Sequence, residues 1–348
     1  MGDPGEAVNR APSDDNPTTE EHVGDKYEVP AYVPHSSFDS LKQRIRHHYE
    51  LASDYYYSLW GQHIHHGYFL DANETKEAAQ VNLIDLLVEI SQLSPCSTVL
   101  DVGCGIGGTT RHLARQKGCA VTGITISGRQ VQIAKRLTEE EAVEGQGQGQ
   151  NPKAPTSESA TETASSPPSG FTSLGNLGGK VQYLELDAET MDQHFPSSCF
   201  DVVWISEALS HLPNKALFFR NAARVLKPAG KLVIADWFKD ADVTPELHER
   251  DIKPIEDGML LPPLSSMGDY VSMAEAEGLN VFHAPRDISA QVARTWDISW
   301  QLVGNPSLWA FAISQGRDGL AFLQAFRAMR RGYAEGSFRY GVMCFEKS

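Results

Sequence analysis

The chain has 348 residues, 41% of them hydrophobic, with a formal net charge of −15. That size allows one large α/β domain with additions or two modest ones, and the acidic balance argues against nucleic acid or an anionic membrane as the main partner. Five scattered cysteines without a CxxC pair argue against a disulfide framework or a zinc site. With no signal-like apolar core at the N-terminus and no apolar run long enough for a bilayer, a cytoplasmic protein is expected.

Residues 1–36 are rich in Pro, Gly, Asp, Glu and Thr and are expected to be a disordered acidic tail. One folded domain is expected over 37–348. It opens near Phe38, where Leu41, Ile45, Tyr49 and Leu51 fall roughly on one helical face. The segment 53–69 is dense in aromatics and histidines, and the apolar set Ala78, Val81, Leu83, Ile84, Leu87 and Ile90 marks a helix over 74–93.

The most informative run is VLDVGCGIGGTT, Val99 to Thr110. A β-branched strand ends in closely spaced glycines, and a helix-compatible segment follows. That is the geometry in which a nucleotide-like ligand lies against bare backbone, and glycine is needed where a Cβ would block the turn or the ligand. The spacing Gly103-x-Gly105-x-x-Gly108 satisfies the dinucleotide fingerprint. Two neighbouring features weigh against NAD. Asp101, two residues before Gly103, suits a ligand carrying positive charge better than a pyrophosphate. The next strand, Ala120 to Ile124, ends in Thr125-Ile126-Ser127 and offers no acid to a ribose. S-adenosylmethionine (SAM), with its sulfonium and ammonium, fits the charge of Asp101 better.

A second low-complexity stretch, 144–179, is expected to be a disordered surface insertion, because the strand–helix alternation resumes after it without resetting. Strands are expected at Val181–Leu186, Phe200–Ile205 and Lys231–Asp236, with a helix at Lys215–Leu226 between the last two. Apolar strands alternating with helices imply a parallel sheet covered on both faces. Beyond Trp237 the alternation loosens. Further strands are expected at 279–284 and 339–345, and 238–335 is expected to contain a helical substrate cap carrying Trp296, Trp300 and Trp309. The expected fold is α/β, a Rossmann-like, seven-stranded, mostly parallel sheet with N-terminal helices and that cap.

With these runs placed, the chain resembles class I SAM-dependent methyltransferases, and most of all the branch containing γ-tocopherol methyltransferases, with sterol and cyclopropane-fatty-acid methyltransferases as more distant relatives. The runs that carry the resemblance are 56–69, 99–114, 121–134, 186–191, 200–213 and 224–237. It implies that Asp101, Gly103 and Gly105 line the methionine and ribose portion of SAM, and that Thr125, Ser127 and Gln130 meet the ribose. It also implies that Asp187 and Ala188 flank the adenine, that Ile205 and Glu207 border the methionine end, and that Tyr57, Trp60 and Gly61 close over the cofactor.

The expected reaction is methyl transfer to oxygen or nitrogen of a lipophilic small molecule, phenolic, prenylated, polyketide or alkaloid, in secondary metabolism. A base speeds attack by a hydroxyl. His211, after the fourth strand, and Asp236, ending the fifth, would form a catalytic His–Asp pair; a helix-capping His211 beside a strand-end carboxylate is the competing reading. His63, His65 and His66 are expected as pocket wall or substrate contacts together with Trp296 and Trp300. No metal is expected, since no Cys or carboxylate stands at ligand spacing from the three histidines. Two other functions stay open: a C-methyltransferase on a sterol-like lipid, with Glu207 and Tyr55–Tyr57 around a carbocation, and a cyclase that binds SAM without transferring methyl.

Overall fold

The protein is described here by a computed structural model covering residues 41–147, 170–303 and 317–348, leaving aside residues 48, 51–52, 54–56 and 58–59. The expected acidic tail, most of the 144–179 insertion, Tyr55–Tyr56 and Trp309 lie outside the described residues. Helix α1 is helical at 41–47 and again at 49–50, and α2 spans Lys76–Ser91. Thr75 starts α2 by accepting a hydrogen bond from the Ala78 N–H, and Gln92 ends it in the left-handed conformation.

The alternating elements follow as β1 (Thr98–Val102), α3 (Gly108–Lys117), β2 (Ala120–Thr125), α4 (Gly128–Gly147), β3 (Thr172–Leu174), β4 (Gly179–Glu185) and β5 (Phe200–Ser206). After them come α5 (Lys215–Val225) and β6 (Leu226–Lys239). A helical stretch, α6, is assembled from Pro245–Leu247, His248–Ile252 and Lys253–Gly258, the middle piece being a π-turn. The chain closes with α7 (Met267–Ala276), β7 (Leu279–Asp287), α8 (Arg294–Val303), α9 (Arg317–Glu335) and β8 (Phe338–Lys347).

Among the described residues, eight strands form one sheet in the order β3-β4-β2-β1-β5-β6-β8-β7, one more than expected. The strands β4, β2, β1, β5 and β6 are parallel, while β3, β8 and β7 run antiparallel to their neighbours. The additional strand is β3, at the end of the stretch expected to be disordered; Thr172-Ser-Leu174 pairs back onto Gly179–Val181 as a hairpin. Consecutive residues of β1 show why the parallel strands are apolar throughout. Val99 packs on one face of the sheet and Leu100 on the other, and both are fully buried.

The chain runs from β1 outward through β2 and β4, then returns to start β5 on the other side of β1. A crevice opens at such a switch point, above the carboxyl ends of the strands. Helices α6, α8 and α9 cover the part of it nearest β6. Gly258 of α6 lies so close to the Ala321 carbonyl of α9 that a Cβ there would overlap it, so the two helices meet through backbone. No helix among the described residues is long and apolar enough to cross a membrane.

Candidate active site

The glycine loop closes the carboxyl end of β1. Gly103 and Gly105 have φ of +72° and +53°. A Cβ on Gly103 would fall well inside contact distance of Ala208, whereas nothing lies within 4 Å of a Cβ on Gly105. The first glycine therefore lets the loop abut the turn after β5, and the second keeps the crevice open to a ligand. Asp101 is buried beneath this loop and accepts a 2.6 Å hydrogen bond from the Thr110 hydroxyl. Burial pushes its carboxyl up to about 6 against that hydrogen bond; a cation placed beside it would draw it back to the charged form.

Two chambers adjoin above the sheet. The first runs over the strand ends, lined by Gly103, Gly105, Thr125, Gln130, Asp187, Ala188, Ile205 and Glu207, so eight of the expected cofactor residues share one cleft. Its empty space, counted out to the open mouth, is about 890 Å³. Asp101 lies at an adjoining recess with His63 and Ser206. Within the cleft wall the polar groups bond one another. Thr125 donates to Gln130 at 2.6 Å, and Ser127 donates to Glu50 at 2.8 Å. Asp187 pairs with Lys42 at 2.8 Å and accepts from the Glu189 N–H.

Helix α1 thus straps the cleft. Lys42 is tied to Asp187 and Glu189 at one end, Glu50 to Ser127 and the Arg129 N–H at the other, and Ile45 and Tyr49 face inward between them. From the sequence, Ile45 and Tyr49 read only as one face of a helix, and Lys42 and Glu50 are not singled out. Three expected cofactor contacts sit elsewhere. Tyr57 packs with Ile64 against Ile106, Ile133 and Leu137. Gly61 makes the turn after it, with φ +81° and its N–H bonded to the Tyr57 carbonyl. Trp60 faces the second chamber.

The second chamber is apolar and aromatic, about 870 Å³, lined by Trp60, Trp237, Met259, Leu260, Trp296 and Phe326 together with His65 and His66. Trp300 lies one helical turn beyond Trp296 in α8, but its side chain is outside the described residues. Ile45, Tyr49, Ile64, Glu207 and His211 border both chambers.

Glu207 is a non-glycine residue at φ +54°, a conformation that costs about 1–3 kcal/mol. Its carboxylate accepts from the His66 N–H at 2.7 Å, from His66 Nδ1 at 2.9 Å and from the Tyr340 hydroxyl at 2.8 Å. Burial pushes the Glu207 carboxyl up, but the adjacent His66, with its hydrogen bonds, and His65 outweigh burial and hold it below the usual range.

The expected contact between His211 and Asp236 is not made. The Asp236 carboxylate accepts instead from the Ser210 N–H at 2.6 Å, the Trp237 N–H at 2.8 Å and the Tyr270 hydroxyl at 3.3 Å. It reaches under the turn that carries His211, toward α7, because the turn presents a backbone N–H to β6 and sends the imidazole outward. Burial raises Asp236 to about 6. Lys215 clamps the same turn from the other side through the Ser210 and Leu212 carbonyls. His211 stacks edge-on to Tyr49 at 6.2 Å.

The histidine triplet separates into three environments. Burial, with His65, His112, Arg111 and Arg115 adding repulsion, drives His63 down to about 2. Burial also lowers His65, whose Nδ1 donates to the His66 carbonyl. His66 alone holds a carboxylate. No group of three or more His, Cys, Asp or Glu among the described residues could bind a metal ion.

The first cleft suits SAM on its own chemistry. A buried carboxyl stands ready for a cation, the Ser206 hydroxyl is buried without a partner, and Gly105 keeps space that a side chain would fill. Comparison with known proteins decides the family. A "Methyltransferase domain" model matches residues 100–234, and a "Mycolic acid cyclopropane synthetase" model matches 37–149. A 2-methyl-6-phytyl-1,4-hydroquinone methyltransferase of Synechocystis is 32% identical over 295 residues, covering 81% of this chain and 80% of the relative. The chain belongs to the SAM-dependent methyltransferases.

The tocopherol O-methyltransferase of Arabidopsis thaliana is 26% identical to this methyltransferase, over 90% of this chain and 84% of that one. Among solved structures, mycolic acid cyclopropane synthase CmaA1, complexed with SAH and CTAB, superposes with a TM-score of 0.66 at 18% identity, covering 88% of this chain and 98% of that one. The [4+2]-cyclase SpnF superposes at 0.65 and 22%, covering 88% and 96%. At those identities the two share this methyltransferase's fold. The enzyme uses SAM, and the 100–234 match spans the strands whose carboxyl ends build the cleft.

Proposed function

We propose that this methyltransferase transfers a methyl group to a hydroxyl of a lipophilic aromatic molecule, bound in the aromatic chamber beside the SAM cleft. The observation that carries the reading is the shared border: Tyr49, Ile64, Glu207 and His211 line both spaces, so a molecule in one meets a molecule in the other there. The substrates for which the relatives are named, a phytyl hydroquinone and tocopherol, are aromatic and apolar, which fits tryptophans and aliphatic side chains better than it fits a charged acceptor.

In this reading Asp101 pairs with the SAM ammonium, the Gly103–Gly105 loop lies along its middle, and Asp187 and Ala188 meet the adenine. SAM supplies an electrophilic methyl group, so the chain's task is alignment and exclusion of water. Helix α1 does both, through Tyr49 at the border and through the Lys42 and Glu50 anchors. His211 contacts the acceptor at the border, and Asp236 is a positioning residue that holds the Ser210 N–H, and with it the turn.

The test is incubation with methyl-labelled SAM and a panel of prenylated hydroquinones and phenols. The expected product is an organic-phase aryl methyl ether carrying the label. Label on a ring carbon would replace the oxygen assignment, and acceptor turnover with SAM unconsumed would replace methyl transfer to this molecule with cyclisation.

A further inference from the structure

We propose that His66 is the general base of this methyltransferase and that Glu207 positions it, an assignment that rests on the hydroxyl-acceptor reading above. His66 is 3% exposed. Its backbone N–H and its Nδ1 both reach the Glu207 carboxylate, at 2.7 and 2.9 Å, although the two residues are 141 positions apart. A carboxylate offers lone pairs only, so the proton between the two side chains belongs to Nδ1, and the neutral imidazole carries its lone pair on Nε2. That Nε2 is buried and has no hydrogen-bond partner among the described residues, on a ring that lines the aromatic chamber. Trp296 and Tyr340 hold the ring edge-on and tilted, at 5.0 and 4.9 Å between centroids.

The neighbouring histidines lack this arrangement. His65 has a backbone carbonyl where His66 has a carboxylate, and His63 faces Arg111 and Arg115. Proton uptake creates an imidazolium, which Glu207 stabilises through a direct hydrogen bond at His66 and only at longer range at His65, while Arg111 and Arg115 oppose it at His63. The pair also accounts for two costs placed together, a left-handed glutamate and an orphaned ring nitrogen.

The step balances simply. The acceptor O–H proton moves to His66 Nε2 and leaves its electron pair on oxygen. That pair forms the new bond to the methyl carbon, and the carbon–sulfur pair stays with sulfur. The imidazolium later returns its proton to water.

The decisive probe is 4-nitrophenol, whose phenolate absorbs at longer wavelength than the phenol, titrated without SAM. Wild type is expected to bind it as the phenolate at a pH where it is neutral in solution. His66→Asn keeps an amide donor for Glu207 but removes Nε2, and is expected to bind it as the neutral phenol. In turnover, the deficit of His66→Asn should reach about a hundredfold for weakly acidic phenols and shrink toward unity for acceptors already ionised. A neutral nitrophenol in wild type overturns the proposal without any variant, as does a deficit indifferent to acceptor acidity. A ring-carbon product would revise the acceptor atom and leave the absorbance result standing.

Discussion

The cofactor cleft and the aromatic chamber are built on opposite principles. In the cleft most polar side chains, the Ser206 hydroxyl apart, already bond one another: Thr125 to Gln130, Ser127 to Glu50, Asp187 to Lys42. In and around the chamber, buried polar atoms stand alone, among them Trp237 Nε1 and His66 Nε2, set among apolar walls. A site for a constant ligand is pre-organised by its own hydrogen bonds. A site for the variable partner keeps shape and a few unspent polar groups, and those decide which molecule gains most by entering.

If the division holds, damage on one side should leave the other intact. The largest effect is expected from Gly105→Val, whose side chain would fill the cleft. SAM affinity should fall at least a hundredfold while acceptor binding, followed by tryptophan fluorescence, stays within about threefold of wild type. The pH dependence of SAM binding should come next. Asp101 is protonated below about 6 and only its charged form attracts the ammonium, so affinity should be flat above that pH and weaken as pH falls through it, by about tenfold at pH 5. Asp101→Asn should bind weakly at every pH, which calorimetry across pH 5–8 would check. A slope that persists in the variant would point to another group.

Trp296→Ala acts on the other side. It should raise the acceptor KM about tenfold, the loss of one aromatic wall, with the SAM dissociation constant within about twofold. Lys42→Ala is the mildest change. Its ion pairs are partly exposed, so SAM affinity should drop only about threefold, and added salt should bring wild type toward the variant.

The same division governs what could be read from residues alone. The cleft was legible because its parts are local: Asp101, Gly103 and Gly105 lie within five residues, and each strand end announces itself by an apolar run and a turn. Strand β3 was missed because three residues, Thr172-Ser-Leu174, carry no periodicity and follow a polar run. The N-terminal part of β6 was missed because it passes through Pro228 and Ala229, the latter at φ +60°. Lys42 and Glu50 look like the solvated face of an amphipathic helix until the fold places Asp187 and Ser127 opposite them. The pairing of His66 with Glu207 has no local spacing at all. The expected His211–Asp236 contact came from neighbouring strand ends, but neighbouring strands fix only backbone proximity, and the Asp236 carboxylate was taken by the Ser210 N–H.

The central claim is that methyl donor and acceptor meet where the two chambers border each other. A crystal structure with sinefungin and a prenylated hydroquinone would test it most directly. The aromatic ring is expected between Trp237 and Trp296, with a hydroxyl oxygen within about 3–3.5 Å of the transferring position, at the border formed by Tyr49, Glu207 and His211. An acceptor bound outside the aromatic chamber, or one whose hydroxyls all face away from the cleft, would contradict it.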